Sequence, residues 1–136
     1  MTFEELARTL PNGFHDAELW RFEMDYGRRR LQFDLDLWIG DDGAGARELY
    51  RPARVTLDQV AFLVIEPPDI QYDWLTPGSI KIDVGGGRPS QSTSIVPQSP
   101  AGNSPSWMYL GEMNRFLLFS AGEATLDWTG LEENRT

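Results

Sequence analysis

The chain has 136 residues, the length of one ordinary domain, and no cysteine, which removes disulfides, thiolate zinc centres and cysteine nucleophiles together. Its 21 acidic side chains outnumber 12 basic ones, and the net charge of −9 repels phosphate backbones while favouring encounter with a basic protein. Glu4 and Glu5 stand where a secretory signal carries positive charge, and no apolar run approaches the roughly 18 residues of a membrane span. A soluble cytoplasmic protein is expected, with no membrane or nucleic-acid partner.

Thr2, Phe3, Glu4 and Glu5 have capping-box spacing, and Phe3, Leu6, Ala7 and Leu10 fall at i, i+3, i+4 and i+7, so a short helix is expected before Pro11-Asn12-Gly13. About two turns are marginal alone, so this helix must dock on an apolar surface. Phe14-His15-Asp16 then leads into a strand. Neighbours on an extended chain point to opposite faces, so no direct contact is expected between His15, the only histidine, and Asp16.

Residues 16–39 read as one β-hairpin. Trp20, Phe22, Met24 and Tyr26 alternate on the first arm, and Leu31, Phe33, Leu35, Leu37 and Ile39 on the second, so both stripes should face one core. A tight turn at Gly27-Arg28 sets Asp25 opposite Arg30, Arg21 opposite Asp34, and Met24, Phe22 and Trp20 opposite Leu31, Phe33 and Leu35. Arg28, Arg29 and Arg30 are read as a solvated hairpin tip. Gly40 to Gly45 is an acidic loop in which the EF-hand pattern fails: Trp38 replaces an acidic ligand, Ile39 the required glycine, and Gly45 the final glutamate.

After a polar approach over 48–54, residues 55–66 read as one long strand. Its apolar run over 60–65 implies that both faces are covered, the second by the N-terminal helix, with a bend near Asp58-Gln59. Pro67-Pro68 ends it, and the loop over 69–78 holds Tyr72 and Trp74. Ile80, Ile82 and Val84 form a further strand. Gly85-Gly86-Gly87-Arg88 matches no phosphate-binding pattern, since no helix follows. Residues 88–106, rich in Ser, Pro, Gln and Gly, are expected to be a mobile loop insertion with a brief extended piece at Ile95-Val96. Strands follow over 107–110, 115–120 and 124–128, and residues 131–136 should fray. The fold class is therefore α+β: a single domain over 1–136, mostly an antiparallel β meander with one short N-terminal helix packed on one face.

No cofactor, metal or catalytic residue is assigned: the single histidine has no nucleophile elbow to serve, and acidic pairs such as Asp36 with Asp41 or Glu66 with Asp69 are inevitable at this acidity. Gly13-Phe14-His15-Asp16-Ala17, running into a hairpin that ends in Asp34-Leu35-Asp36-Leu37, resembles the opening of a family of small uncharacterised bacterial proteins. These are similar in turn to immunity proteins of polymorphic toxin systems. The resemblance covers residues 13–40 and implies a non-catalytic binder that docks a basic toxin domain, with His15 and Asp16 as structural signature positions. On the first functional reading, Asp34, Asp36, Trp38, Asp41, Asp42, Tyr72 and Trp74 form an acidic, aromatic docking face for a basic protein partner. On the alternative, a small-ligand or hydrolytic pocket lies beneath the 88–106 loop near His15. Oligomeric state is left open.

Overall fold

The computed structural model describes residues 1–41 and 48–135. Within them, α1 (Phe3–Arg8) precedes nine strands: β1 (Glu18–Asp25), β2 (Arg30–Asp41), β3 (Glu48–Asp58), β4 (Phe62–Ile65), β5 (Ile80–Gly86), β6 (Ser104–Leu110), β7 (Arg115–Ala121), β8 (Glu123–Trp128) and β9 (Glu133–Arg135). Every pairing is antiparallel, in the order β4-β7-β6-β5-β1-β2-β3-β8, with β9 on the same edge of β3 as β8. The chain is thus α+β, an antiparallel β meander with one short N-terminal helix. No helix among the described residues is long and apolar enough to cross a membrane.

The sheet folds over on itself. β2 and β7 are four strands apart in the order, about 19 Å in a flat sheet, yet the rings of Phe33 and Phe119 lie 5.6 Å apart. β5 makes the fold possible by dividing its pairing: Ile80 and Lys81 bond β1, and Ile82 onward bonds β6. The chain changes layer twice, at Gln59 (φ 58°) between β3 and β4 and at Gly122 between β7 and β8. The two corners interlock, because a Cβ on Gly122 would lie 2.1 Å from the Gln59 side chain, and the Gly122 N–H donates to the Asp58 carbonyl.

Thr2 caps α1, its hydroxyl accepting from the Glu5 N–H at 3.1 Å. Phe3 stacks on Phe14 at 4.7 Å and meets Phe119 edge-on, so the helix closes one end of the core. It lies against β8 and β6, not over residues 60–65 as expected. The single strand expected over 55–66 is broken at the Gln59 corner, while its start moves back to Glu48, and β4 is an edge strand with Ile65 exposed. The strand buried on both faces is β7: Leu117 and Phe119 point into the core, and Phe116, Leu118 and Ser120 lie on the other face. Residues 87–103 cross that outer face without helix or strand, tied down by Ser92 and Ser94 to Glu66, Ser99 to Ser120, and Asn103 to the Gln59 carbonyl. β6 begins at Ser104, inside the expected loop. Residues 133–135, expected to fray, pair with β3.

The hairpin register is as expected at Asp25, Met24, Phe22 and Arg21, and departs at one point. A β-bulge between Leu19 and Arg21 sets Leu19 opposite Leu35, so Leu19 is buried and Trp20 is turned to the outer face, 57% exposed. Trp20 and Phe33 therefore project to opposite sides, correcting the core position read for Trp20. The cause lies on the other side of β1, where Leu19 is held opposite Ile80 of β5. At the turn the positive φ falls on Arg29 (52°) instead of Gly27, and Asp25 Oδ1 accepts the Arg28 N–H at 3.0 Å.

Candidate functional site on the outer face of β5, β6 and β7

The residues read as a docking face fall into two groups. On the outer face of β2, Asp34 is paired in two-point fashion with Arg54 across the ladder, at 2.7 and 3.2 Å. Asp36 is buried and accepts from the Trp20 indole at 2.8 Å and from Arg135 at 2.6 Å. Trp38 is half-buried, its indole N–H enclosed and without a hydrogen-bond partner among the described residues. Asp41 ends the strand, exposed, and Asp42 lies outside the described residues. Tyr72 and Trp74 meet edge-on at 4.9 Å in the β4–β5 connection. Trp20 joins the groups: it bonds Asp36, and with Trp74 and Ile65 it lines a mostly apolar groove of about 320 Å³. Asp34 and Asp36 thus spend their charge on arginines of the same chain.

A larger concavity lies elsewhere. β6 turns Met108 and Leu110 into the core, which sends Trp107 and Tyr109 outward. Register sets Trp107 beside Gly85 and Leu118, and Tyr109 between Asp83 and Phe116. The Trp107 indole lies so close over β5 that a Cβ on Gly85 would be 2.3 Å from its Cζ2, which is why glycine stands there. Phe116 packs edge-on to Trp107 (5.6 Å) and tilted against Tyr109 (5.1 Å), giving an aromatic floor. Around it, Asp83, Glu66, Asn114, Arg115 and the strap residues Gln91, Thr93 and Ser94 form the polar rim of a groove of about 800 Å³.

Asp83 and Tyr109 also line a separate, adjoining hollow of about 360 Å³, which is lined as well by His15, Asp16, Lys81 and Glu112. His15 Nδ1 is 3.5 Å from Asp83 and Nε2 is 3.5 Å from Asp16. The latter contact corrects the expectation for this pair: Asp16 is left-handed (φ 58°), so the alternation of an extended chain does not apply.

Glu66 anchors the strap. Burial pushes its carboxyl up, but Ser94 Oγ (2.6 Å) and Ser92 Oγ (2.7 Å) donate to one oxygen, the Phe116 N–H (3.0 Å) donates to the other, and Arg115 adds positive potential. The balance holds Glu66 below its ordinary 4.5. A carboxylate so satisfied stays ionised and is a poor proton donor. Arg88 donates to the Ser94 carbonyl at 2.8 Å, closing the strap on itself. Among the described residues, no group of three or more His, Asp or Glu side chains is placed to hold a metal ion.

No protein-family model matches the chain, and no curated protein matches it in sequence. Among solved structures it is similar to an uncharacterized protein from Neisseria gonorrhoeae. That structure is 12% identical, the match covers 83% of this chain and 91% of that one, and the TM-score is 0.45.

Trp107, Tyr109, Phe116, Asp83 and Arg115 were legible only as strand residues. The available signal was β6 itself, where apolar side chains on one face alternate with aromatic ones on the other. Such a strand needs either a cover or a ligand on its second face.

Proposed function

We propose that the protein is a binding module for a neutral polar ligand with a flat apolar face, the chemistry of a sugar ring, held in the groove over β5, β6 and β7. The observation that carries this reading is the aromatic floor of Trp107, Tyr109 and Phe116 beneath a rim of carboxylate, amide and guanidinium groups. Aromatic faces receive the C–H side of such a ring, and a few placed polar groups fix its hydroxyls. Glu66 and Asp83 against Arg115 leave the rim with excess negative charge, which disfavours phosphates. Glu66, whose hydrogen bonds hold it ionised, serves this reading as a hydrogen-bond acceptor and not as a general acid at neutral pH.

The test is saturation-transfer NMR and calorimetry with a panel of neutral mono- and oligosaccharides on the wild-type chain and Trp107→Ala. At least one sugar is expected to bind, with affinity falling about tenfold or more in the variant. Absence of any sugar whose binding depends on Trp107 overturns the reading. A second reading, docking of a basic protein by an immunity-like acidic module, is favoured by a separate observation, the guanidinium held between Glu18 and Asp36.

A further inference from the structure

Arg135 extends its side chain across three strands. β9 lies on the edge of β3 with Arg135 opposite Glu48 and Glu133 opposite Tyr50. From there the guanidinium stacks over the Tyr50 ring, 4.4 Å from its centroid, and bonds Asp36 of β2 at 2.6 Å and Glu18 of β1. The receiving groups are built in. Tyr50 and Asp36 are both buried, and the Trp20 indole donates to the same Asp36 oxygen that the guanidinium reaches. One aromatic wall and two carboxylates form a box whose planar and two-point demands suit arginine better than lysine.

The element that fills the box is much less secure than the box. Among the described residues β9 pairs with β3 alone, over three residues, and its link to β8 is tied to β3 at Thr129, which donates to the Pro52 carbonyl at 2.9 Å, and at Gly130, which accepts from Arg51 at 3.0 Å, but is open at Leu131, 84% exposed. A strand so short opens at little free-energy cost, and its departure bares both the edge of β3 and the two carboxylates. We propose that the Glu18, Asp36 and Tyr50 box, with the edge of β3 at residues 48–50, docks an arginine presented on an extended segment of a basic partner protein. Arg135 and β9 occupy the place in its absence. This inference rests on the second reading above and is independent of the groove. The excess of acidic side chains across the chain speeds approach of such a partner, and strand addition supplies main-chain bonds while the arginine supplies specificity.

The experiment uses the full chain, wild type and Arg135→Ala. The probe is a labelled, capped six-residue peptide of alternating Val and Thr with one central Arg, compared with the same peptide carrying Lys or uncharged citrulline there. An intramolecular competitor on a short tether acts at about millimolar effective concentration, so Arg135→Ala should bind the Arg peptide about tenfold more tightly than wild type. The citrulline peptide should bind at least about tenfold more weakly than the Arg peptide. In wild type, excess Arg peptide should speed amide exchange at residues 133–135 and leave 48–50 protected, a measurement that does not depend on the variant folding. The proposal is overturned if Arg and citrulline peptides bind alike, or if wild-type exchange at 133–135 does not respond. Equal, salt-sensitive binding of Arg and Lys peptides, unchanged in Arg135→Ala, would sink the box while leaving acidic docking standing.

Discussion

Gly85→Ala probes the floor of the groove by a change of one methyl group. The new Cβ would lie 2.3, 2.5 and 2.8 Å from Cζ2, Cε2 and Nε1 of Trp107, where ordinary carbon contacts fall at about 3.5–4.0 Å. The indole must therefore shift by more than about 1 Å, against Phe116 packed edge-on to it. Overpacking of this kind costs about 1–3 kcal/mol. Gly85 does not have a positive φ, so alanine fits its backbone and returns about 0.4–1 kcal/mol by restricting the unfolded chain. The net expectation is a loss of about 1–2 kcal/mol, or a Tm lower by about 5 °C, with sugar affinity in the groove reduced because the platform has moved. In a Trp107→Ala background the clash is gone and only the entropic part remains, so the same substitution should stabilise by about 0.4–1 kcal/mol. Urea unfolding followed by far-UV circular dichroism on the four proteins of this cycle reads both values. A Gly85→Ala effect of the same sign in both backgrounds would refute the reasoning.

Four further outcomes are expected. Glu66→Gln should cost about 1–3 kcal/mol at neutral pH by weakening the charge-assisted bonds from Ser92, Ser94 and the Phe116 N–H. Because the folded-state pKa of Glu66 lies below its ordinary 4.5, its contribution is present above that value and is lost as pH falls through the lower folded one; the stability gap between wild type and variant, measured by urea titration, should close on acidification. Tyr50 is pushed up to about 12 by burial and then by the nearby Glu48, so wild-type stability should fall between pH 10 and about 12 by an amount that Tyr50→Phe abolishes, as followed by thermal melts across that range. Phe33→Ala, at a fully buried position against Phe119, should cost about 3–5 kcal/mol in urea unfolding, whereas Asp34→Asn, which breaks a partly exposed pair with Arg54, should cost no more than about 1 kcal/mol and less in high salt.

Local patterns carried most of the fold. The alternation in Leu31, Phe33, Leu35 and Leu37 gave the inward face of β2, and Asp25 opposite Arg30 gave the hairpin register. Capping at Thr2 gave α1. What failed was long-range. Trp20 fits the apolar stripe of its strand as well as any neighbour, and only the pairing of Leu19 with Ile80, some sixty positions away, decides that the strand bulges and Trp20 turns outward. The run over 60–65 fails for the same reason: six apolar residues in a row imply a strand covered on both faces, yet β4 lies at the sheet edge with Ala61 and Ile65 exposed, and the strand buried on both faces is β7. Of the site, only the neighbourhood was legible, as a pocket beneath the Ser- and Pro-rich stretch near His15. The aromatic floor comes from two strands, and its dependence on Gly85 exists only once β5 and β6 are in register.

The divided pairing of β5 bears on how the chain reaches its native state. β1, β2 and β3 meet through near neighbours in sequence, as do β6 and β7, whereas only two residue pairs, Glu18 with Lys81 and Leu19 with Ile80, stitch β1 to β5. Each half can zip early at little loop-closure cost, and the expected slow step is the meeting of the two ribbons, along this two-pair seam and along the six pairs of β3 with β8. Substitutions along that two-pair seam should retard refolding more than equally destabilising ones at the β1–β2 turn, which belong to a ribbon assembled beforehand.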